Sequence, residues 1–290
     1  MSNNKIGVHA LVWVGGWSED EARTAISSTK KAGYDVIELA LMQPEKEPVD
    51  AMSFTADLLS EYGITPTMSM GLSDDTDVSS DDADIVAAGR RRLEAAVNVA
   101  RDIGCQYLGG VIFSKLGRYT QPVTERGYSH SVETMAWLAD KAAESGITLG
   151  MEFCNRYETN VINTTEQTLR FIEAIGRDNV VAHLDTYHMN IEERSFTDAV
   201  KAAADAGKLG YVHVGESHRG QLGTGSIPWD EFFTALRDVG YDGTITFESF
   251  SSEVVNPQLS SALSIWRNLW TDSMDLATGA RAFIRDKYGA

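Results

Sequence analysis

The sequence predicts an α/β fold, a closed (β/α)8 barrel forming one domain over residues 1–290, with a helical extension after the last strand. Two observations carry this prediction. Short apolar strand patterns recur eight times, and each of the last seven follows a glycine that ends an amphipathic helix pattern. Strands separated by helices are joined by crossovers and so run parallel. Eight such units in 290 residues suit a closed barrel better than an open sheet.

In order, Ile6-Gly7-Val8-His9-Ala10 opens the chain as the first strand. Gly33 precedes Val36-Ile37-Glu38-Leu39, Gly63 precedes Thr67-Met68-Ser69-Met70, and Gly104 precedes Tyr107 to Ile112. Gly146 then precedes Thr148 to Glu152, and Gly176 precedes Val180 to Asp185. Gly207 precedes Tyr211 to Val214, and Gly240 precedes Thr244 to Glu248. The helix starts agree in phase, because Ser18 with Glu21, Thr164 with Gln167 and Ser195 with Asp198 have the spacing of an N-cap and its N3 partner. After the eighth strand, Leu263, Trp266, Leu269 and Trp270 fall at helical spacing. They predict a helix packed on the barrel, with a subunit interface as the other reading. No Gly-x-Gly-x-x-Gly turn follows the first strand, which argues against a dinucleotide-binding sheet. No shift in composition marks a linker.

Composition narrows the function. Hydrophobic residues make up 43% of the chain and charged residues 23%, as in a soluble globular protein with a substantial core. A net charge of -17 disfavours nucleic acid, whose affinity rests on clustered Lys and Arg. No apolar run spans a bilayer, and Met1 to Lys5 lacks the basic and apolar regions of a leader, so no membrane partner and a cytoplasmic location are expected. Cys105 and Cys154 have neither zinc-site nor disulfide-framework spacing and are expected as buried thiols.

The C-terminal ends of parallel barrel strands converge on one mouth. Glu152, Asp185 and Glu248 are expected at the ends of the fifth, sixth and eighth strands, and His213 in the seventh. Singly, each reads as a helix cap, a solvated carboxylate or a core histidine. Together on consecutive strands they form a cluster whose charges repel unless a divalent cation joins them. Three carboxylates and one imidazole suit Mn2+, Mg2+ or Co2+ better than a structural zinc, and Mn2+ is favoured. Glu158, His188 and Arg219 fall in loops over the mouth, where directional groups suit a sugar, although Arg219 reads equally as a surface cation. Glu38 reads equally as a carboxylate supporting the ligands from behind or as a structural one, and is left outside the site. The segment from Ser114 to Tyr128, with Lys115, Arg118 and Tyr119, reads as a cover for the mouth, a partner contact or an ordinary loop.

Four segments then carry a resemblance: Met151-Glu152-Phe153 with Asn155-Arg156-Tyr157-Glu158-Thr159; His183-Leu184-Asp185-Thr186-Tyr187-His188-Met189-Asn190; Val212-His213-Val214-Gly215-Glu216-Ser217-His218-Arg219; and Phe247-Glu248-Ser249-Phe250. They resemble the motifs of the ketose 3-epimerases, the D-tagatose, D-allulose (D-psicose) and L-ribulose 3-epimerase group of the xylose-isomerase-like TIM barrels. The likeness spans nearly the whole chain, and the segment around Asp185 is its most specific part. It implies one divalent metal ion per subunit, Mn2+, Co2+ or Mg2+, held by Glu152, Asp185, His213 and Glu248 together with the substrate's O2 and O3. It implies also that Glu158, His188 and Arg219 fix the O1 and O2 end, that Phe250 and Trp17 form an apolar rim, and that the chain is a homo-oligomer, a dimer or tetramer. His9 stands where some relatives carry an aromatic residue, which leaves recognition of C4 to C6 open.

The chemistry follows without the family. A C3 proton beside a carbonyl is a poor acid, and a cation at O2 stabilises the cis-enediolate that its removal creates. Two carboxylates on opposite faces let the proton leave one side and return to the other, so Glu152 and Glu248 are the expected catalytic pair. The reading is C3 epimerisation of a free ketose (D-allulose/D-fructose, D-tagatose/D-sorbose or L-ribulose/L-xylulose), since no glycine-rich phosphate cradle stands out. The alternatives are an aldose–ketose isomerase or hydroxypyruvate-isomerase-like enzyme on the same barrel, and a non-catalytic sugar-binding protein. A three-zinc endonuclease is disfavoured by the acidic balance and by only six histidines.

Overall fold

The structure is a computed structural model describing residues 4–42, 44 and 49–289, so the Met1 to Asn3 part of the N-terminal reading lies outside the described residues. Its strands are β1 (Ile6–His9), β2 (Val36–Ala40), β3 (Thr65–Leu72), β4 (Tyr107–Lys115), β5 (Thr148–Glu152), β6 (Val180–Asp185), β7 (Leu209–Val214) and β8 (Ile245–Phe247). They pair in chain order, all parallel, and the circle closes where β8 meets β1 with Ile6 opposite Ile245 and Val8 opposite Phe247. The helices lie between them: α1 (Glu19–Lys31), α2 (Val49–Tyr62), α3 (Ala83–Asp102), α4 (Glu125–Ala143), α5 (Thr165–Ile175), α6 (Thr186–Glu192), α7 (Phe196–Asp205) and α8 (Trp229–Asp238), followed by α9 (Pro257–Ala262) and α10 (Ser273–Tyr288). No described helix is long and apolar enough to cross a membrane.

Local chemistry sets this alternation. All seven punctuating glycines have φ between +62° and +82°, the left-handed region that costs glycine nothing and other residues strain. Ser18 and Glu21 form a reciprocal capping box, and Thr164 and Ser195 each accept from the N–H three residues on. The Gln167 side chain departs from the expected pattern and accepts from Asn163 N–H.

Strand periodicity separates two layers. Leu108, Leu149, Leu184, Val212 and Phe247 are fully buried in the apolar core shared with the helices. The alternating positions fill the barrel interior, where Tyr107 stacks on Tyr211 at 4.1 Å and the Tyr211 hydroxyl bonds Thr67 and Thr246 at 2.8 and 2.7 Å. Gly150 leaves room for this stack, since a Cβ there would lie 1.8 Å from the Tyr107 oxygen.

The helix expected over Leu263 to Trp270 does not form. Helix α9 stops at Leu263, and Ser264 takes φ +56°, which no helix interior accommodates. The chain then runs irregularly until Asp272 caps α10 by accepting from the N–H groups of Met274 and Asp275. Trp266 is 74% exposed, and the helix that packs here is α10, through Leu276, Ala277, Ala280, Ile284 and Tyr288. Both cysteines are buried free thiols.

Candidate active site and metal centre

Parallel strands bring the four candidate ligands to the same end of the barrel, staggered along its wall. Glu152 pairs with His183 on β6, Asp185 with His213 on β7, and His213 with Thr246 on β8. Glu152 and Asp185 end their strands as expected, whereas Glu248 lies one residue beyond β8, tied to β7 through its N–H and Val214 O at 3.1 Å. His213 Nδ1 lies 3.3 Å from Glu152 Oε1 and 3.7 Å from Glu248 Oε1. Donor atoms of Asp185, His213 and Glu248 fall within 4.8 Å of one another, as do those of Glu152, His183 and His213, so His213 joins the two sets.

This donor set fits a divalent cation. His213 Nε2 is hydrogen-bonded to Glu38 at 2.8 Å, while Nδ1, buried and facing two carboxylates, has no hydrogen-bond partner. A buried imidazole nitrogen rarely stays unpaired, and carboxylates converging on it supply the hard oxygen ligands that Mn2+, Co2+ and Mg2+ take. Burial raises the carboxyls of Glu152 and Asp185, the latter to about 8. Burial would raise Glu248 too, but Arg219 and His213 draw it below its ordinary value. For His213, burial opposes the charge and is outweighed by Glu38, Glu248 and Glu152, which lift it well above the usual imidazole range.

Glu158, His188 and Arg219 line one cavity of about 520 Å3 together with Glu152 and Glu248, and Asp185 and His213 are fully buried beside it. Arg219 Nη1 reaches Asp185 Oδ2 at 3.3 Å and also pairs with Glu248. Its guanidinium lies over Tyr187 at 3.9 Å and over Phe250 at 5.0 Å, and its backbone takes φ +63°. Glu216 holds that loop by accepting from Gly223 N–H at 2.8 Å and Trp229 Nε1 at 3.0 Å. His188 sits on α6 rather than in a loop. Its Nδ1 accepts from Asn155 N–H at 3.1 Å, which leaves the ring proton on Nε2, 3.4 Å from Arg219 Nη2, and burial keeps the ring neutral. Glu158 accepts from Asn155 Nδ2 at 2.8 Å, so one asparagine orients both.

Lys115, Leu116, Gly117 and Arg118 line the cavity, and Tyr119 anchors this segment by donating to Asp77 at 2.6 Å. Phe250 lines the cavity with His9, their rings edge to face at 5.7 Å. Trp17 is not among the described lining residues: it packs on the core and its indole N–H donates to Thr55 at 3.0 Å. Two interior residues that the sequence reading left outside the site lie against it. Glu38 bonds His213, and His183, fully buried with both nitrogens unpaired, lies 3.9 Å from Glu152 Oε2. A signal existed for Glu38: a carboxylate between apolar neighbours of a strand must have a buried partner.

Comparison with known proteins gives the chain's family and its overall fold. A family model described as xylose isomerase-like TIM barrel matches residues 26–276. An L-ribulose 3-epimerase of Methylomonas sp. (strain DH-1) is 50% identical over 282 residues, 97% of this chain and 97% of its own length. A ketose 3-epimerase of Arthrobacter globiformis is 47% identical over 286 residues, 99% and 97% of the two chains. The crystal structure of a D-allulose 3-epimerase from Methylomonas sp. in complex with D-allulose superposes with a TM-score of 0.95 at 49% identity, covering 99% of this chain and 98% of that one.

Proposed function

This chain belongs to the ketose 3-epimerases of the xylose isomerase-like TIM-barrel family, and from that premise we propose how its residues do the work and on which sugar. It is an isomerase that epimerises ketoses at C3. The observation that carries the residue assignment is the approach of Glu152 and Glu248 to one nitrogen of His213, at 3.3 and 3.7 Å.

Glu152, Asp185, His213 and Glu248 would hold one divalent cation, for which we favour Mn2+ over Co2+ or Mg2+. When bound it supplies positive charge that offsets the negative charge developing on the substrate's oxygen. One glutamate takes the proton from C3, and the other delivers a proton to the opposite face; the roles exchange with the epimer bound. Arg219 and the Nε2–H of His188 donate to the O1 and O2 end, and Glu158 accepts there, so the reacting carbon is held between the two carboxylates. Lys115 to Arg118 close the cavity against water. D-Allulose/D-fructose and L-ribulose/L-xylulose are the substrate pairs we favour, on the names of the relatives near 50% identity. Homo-oligomeric assembly and a cytoplasmic location complete the proposal; a monomeric sedimentation profile would overturn the first.

The test is incubation of the metal-loaded protein with a panel of free ketoses in D2O. A ketose product carrying deuterium at C3 is expected. An aldose labelled at C2 would indicate an aldose–ketose isomerase, and tight ketose binding without label would indicate a binding protein.

A further inference from the structure

Glu38 stands in the middle of β2, completely buried, with no lysine or arginine paired to it among the described residues. An ionised carboxylate in such a place is costly unless specific partners compensate it. Its Oε2 lies 2.8 Å from His213 Nε2, while its Oε1 makes no hydrogen bond and lies 3.8 Å from Nε2 of His9.

The place of the His213 ring does not depend on that bond. His183 crosses it at 82° with centroids 4.1 Å apart, His9 meets it at 88° and 6.3 Å, and Tyr211 packs at 5.7 Å. Packing therefore holds the ring, and Glu38 decides where its proton sits. An ionised carboxylate can only accept, so the N–H is Nε2, and Nδ1 becomes the nitrogen free to present a lone pair towards Glu152 and Glu248.

We propose that Glu38 is the positioning residue of the site: it keeps His213 in the tautomer whose Nδ1 ligates the divalent cation, and it raises the donor strength of that nitrogen. The proposal rests on the assignment of His213 to the cation made above. Glu38 touches neither substrate nor cation in this scheme and acts through His213 alone. Carboxylate–histidine pairs behind metal ligands commonly contribute about 10- to 100-fold in metal affinity.

Glu38→Gln tests it, because the amide keeps the size of the side chain but can donate to Nε2 and send the ring proton to Nδ1. Mn2+ affinity would be measured by competition with a chelating dye for the wild type, Glu38→Gln and His213→Gln. Glu38→Gln is expected to keep its circular dichroism, to bind Mn2+ about 10- to 100-fold more weakly, and to regain most of its kcat at saturating Mn2+. In the Mg2+-loaded wild type, 15N-histidine spectra should show one strongly hydrogen-bonded, downfield proton on an imidazole Nε2, lost in Glu38→Gln. Wild-type affinity in Glu38→Gln with weakened affinity in His213→Gln would overturn the positioning role and leave His213 as a ligand. Wild-type affinity in both would remove the ligand assignment itself. Should Glu38→Gln not fold, the wild-type spectrum decides: absence of that proton refutes the proposal.

Discussion

Glu152 and Glu248 come from strands three apart in the barrel and converge on the same atom, Nδ1 of His213, from 3.3 and 3.7 Å. Neither carboxylate is exposed beyond 7%. Two buried acids held this way can act on opposite faces of a bound carbon, one taking its proton and the other delivering one, and the following expectations derive from that arrangement.

Glu248→Gln should leave the fold intact and cut kcat by about 10^2- to 10^4-fold, the usual contribution of a general acid or base. Turnover and bound Mn2+ must be measured on the same sample. Normal turnover with the ion retained would exclude Glu248 from proton transfer.

Arg219→Lys should raise KM by about 10- to 100-fold, corresponding to the roughly 1.5–3 kcal/mol of a hydrogen bond to a charged group, with ion content unchanged. A lysine keeps the charge but cannot lie flat between Tyr187 and Phe250 as the guanidinium does. Glu158→Gln should act in the same direction. Ion loss in either variant would move that residue into the ligand set.

Ion affinity should rise with pH. Burial pushes the Asp185 carboxyl up to about 8, so below that value the ion-free protein carries a proton that the cation must displace. His213 is likewise lifted well above the usual imidazole range and holds a second proton there, so affinity is expected to fall by at least about tenfold for each unit of pH lost below 8. Calorimetric titration with Mn2+ at pH 6, 7 and 8 checks this, and a flat profile would contradict it.

Chelation should abolish activity, and Mn2+ or Co2+ should restore it. Persistent turnover in protein shown by elemental analysis to be metal-free would rule out the cation as electrophile.

Gly150→Ala should destabilise the barrel by about 1–3 kcal/mol, as overpacking does. The added methyl would meet the Tyr107 oxygen at 1.8 Å, and Tyr107 cannot retreat because it stacks on Tyr211. Tyr107→Phe removes a hydroxyl that has no hydrogen-bond partner, so it should recover part of the loss in the double variant. Thermal melts of the four proteins give the coupling, and additive effects would show that the contact is not responsible.

Much of this was legible beforehand because the controlling interactions are local. Each of the seven glycines ends a helix whatever surrounds it, and Ser18, Thr164 and Ser195 cap helices through bonds spanning three residues. Glu152, Asp185, His213 and Glu248 could be placed together because a parallel barrel gathers strand ends. Helical spacing misled at Leu263 to Trp270, where periodicity was present but Ser264 turned the chain left-handed. Periodicity reports which face could be buried, and not whether the backbone stays helical to use it.

From its order of residues alone, the chain determined the element sequence, the closed sheet and the set of acids at its mouth, since spacing along the backbone dictates all three. Tertiary structure alone decided that Glu38 meets His213 across 175 positions, that His183 lies against Glu152 with nitrogens unpaired among the described residues, and that the half-buried Trp17 ties its indole N–H to Thr55. Those are distances between side chains on different strands and helices. They depend on barrel closure and on how neighbouring rings pack, and neither is encoded within any one segment.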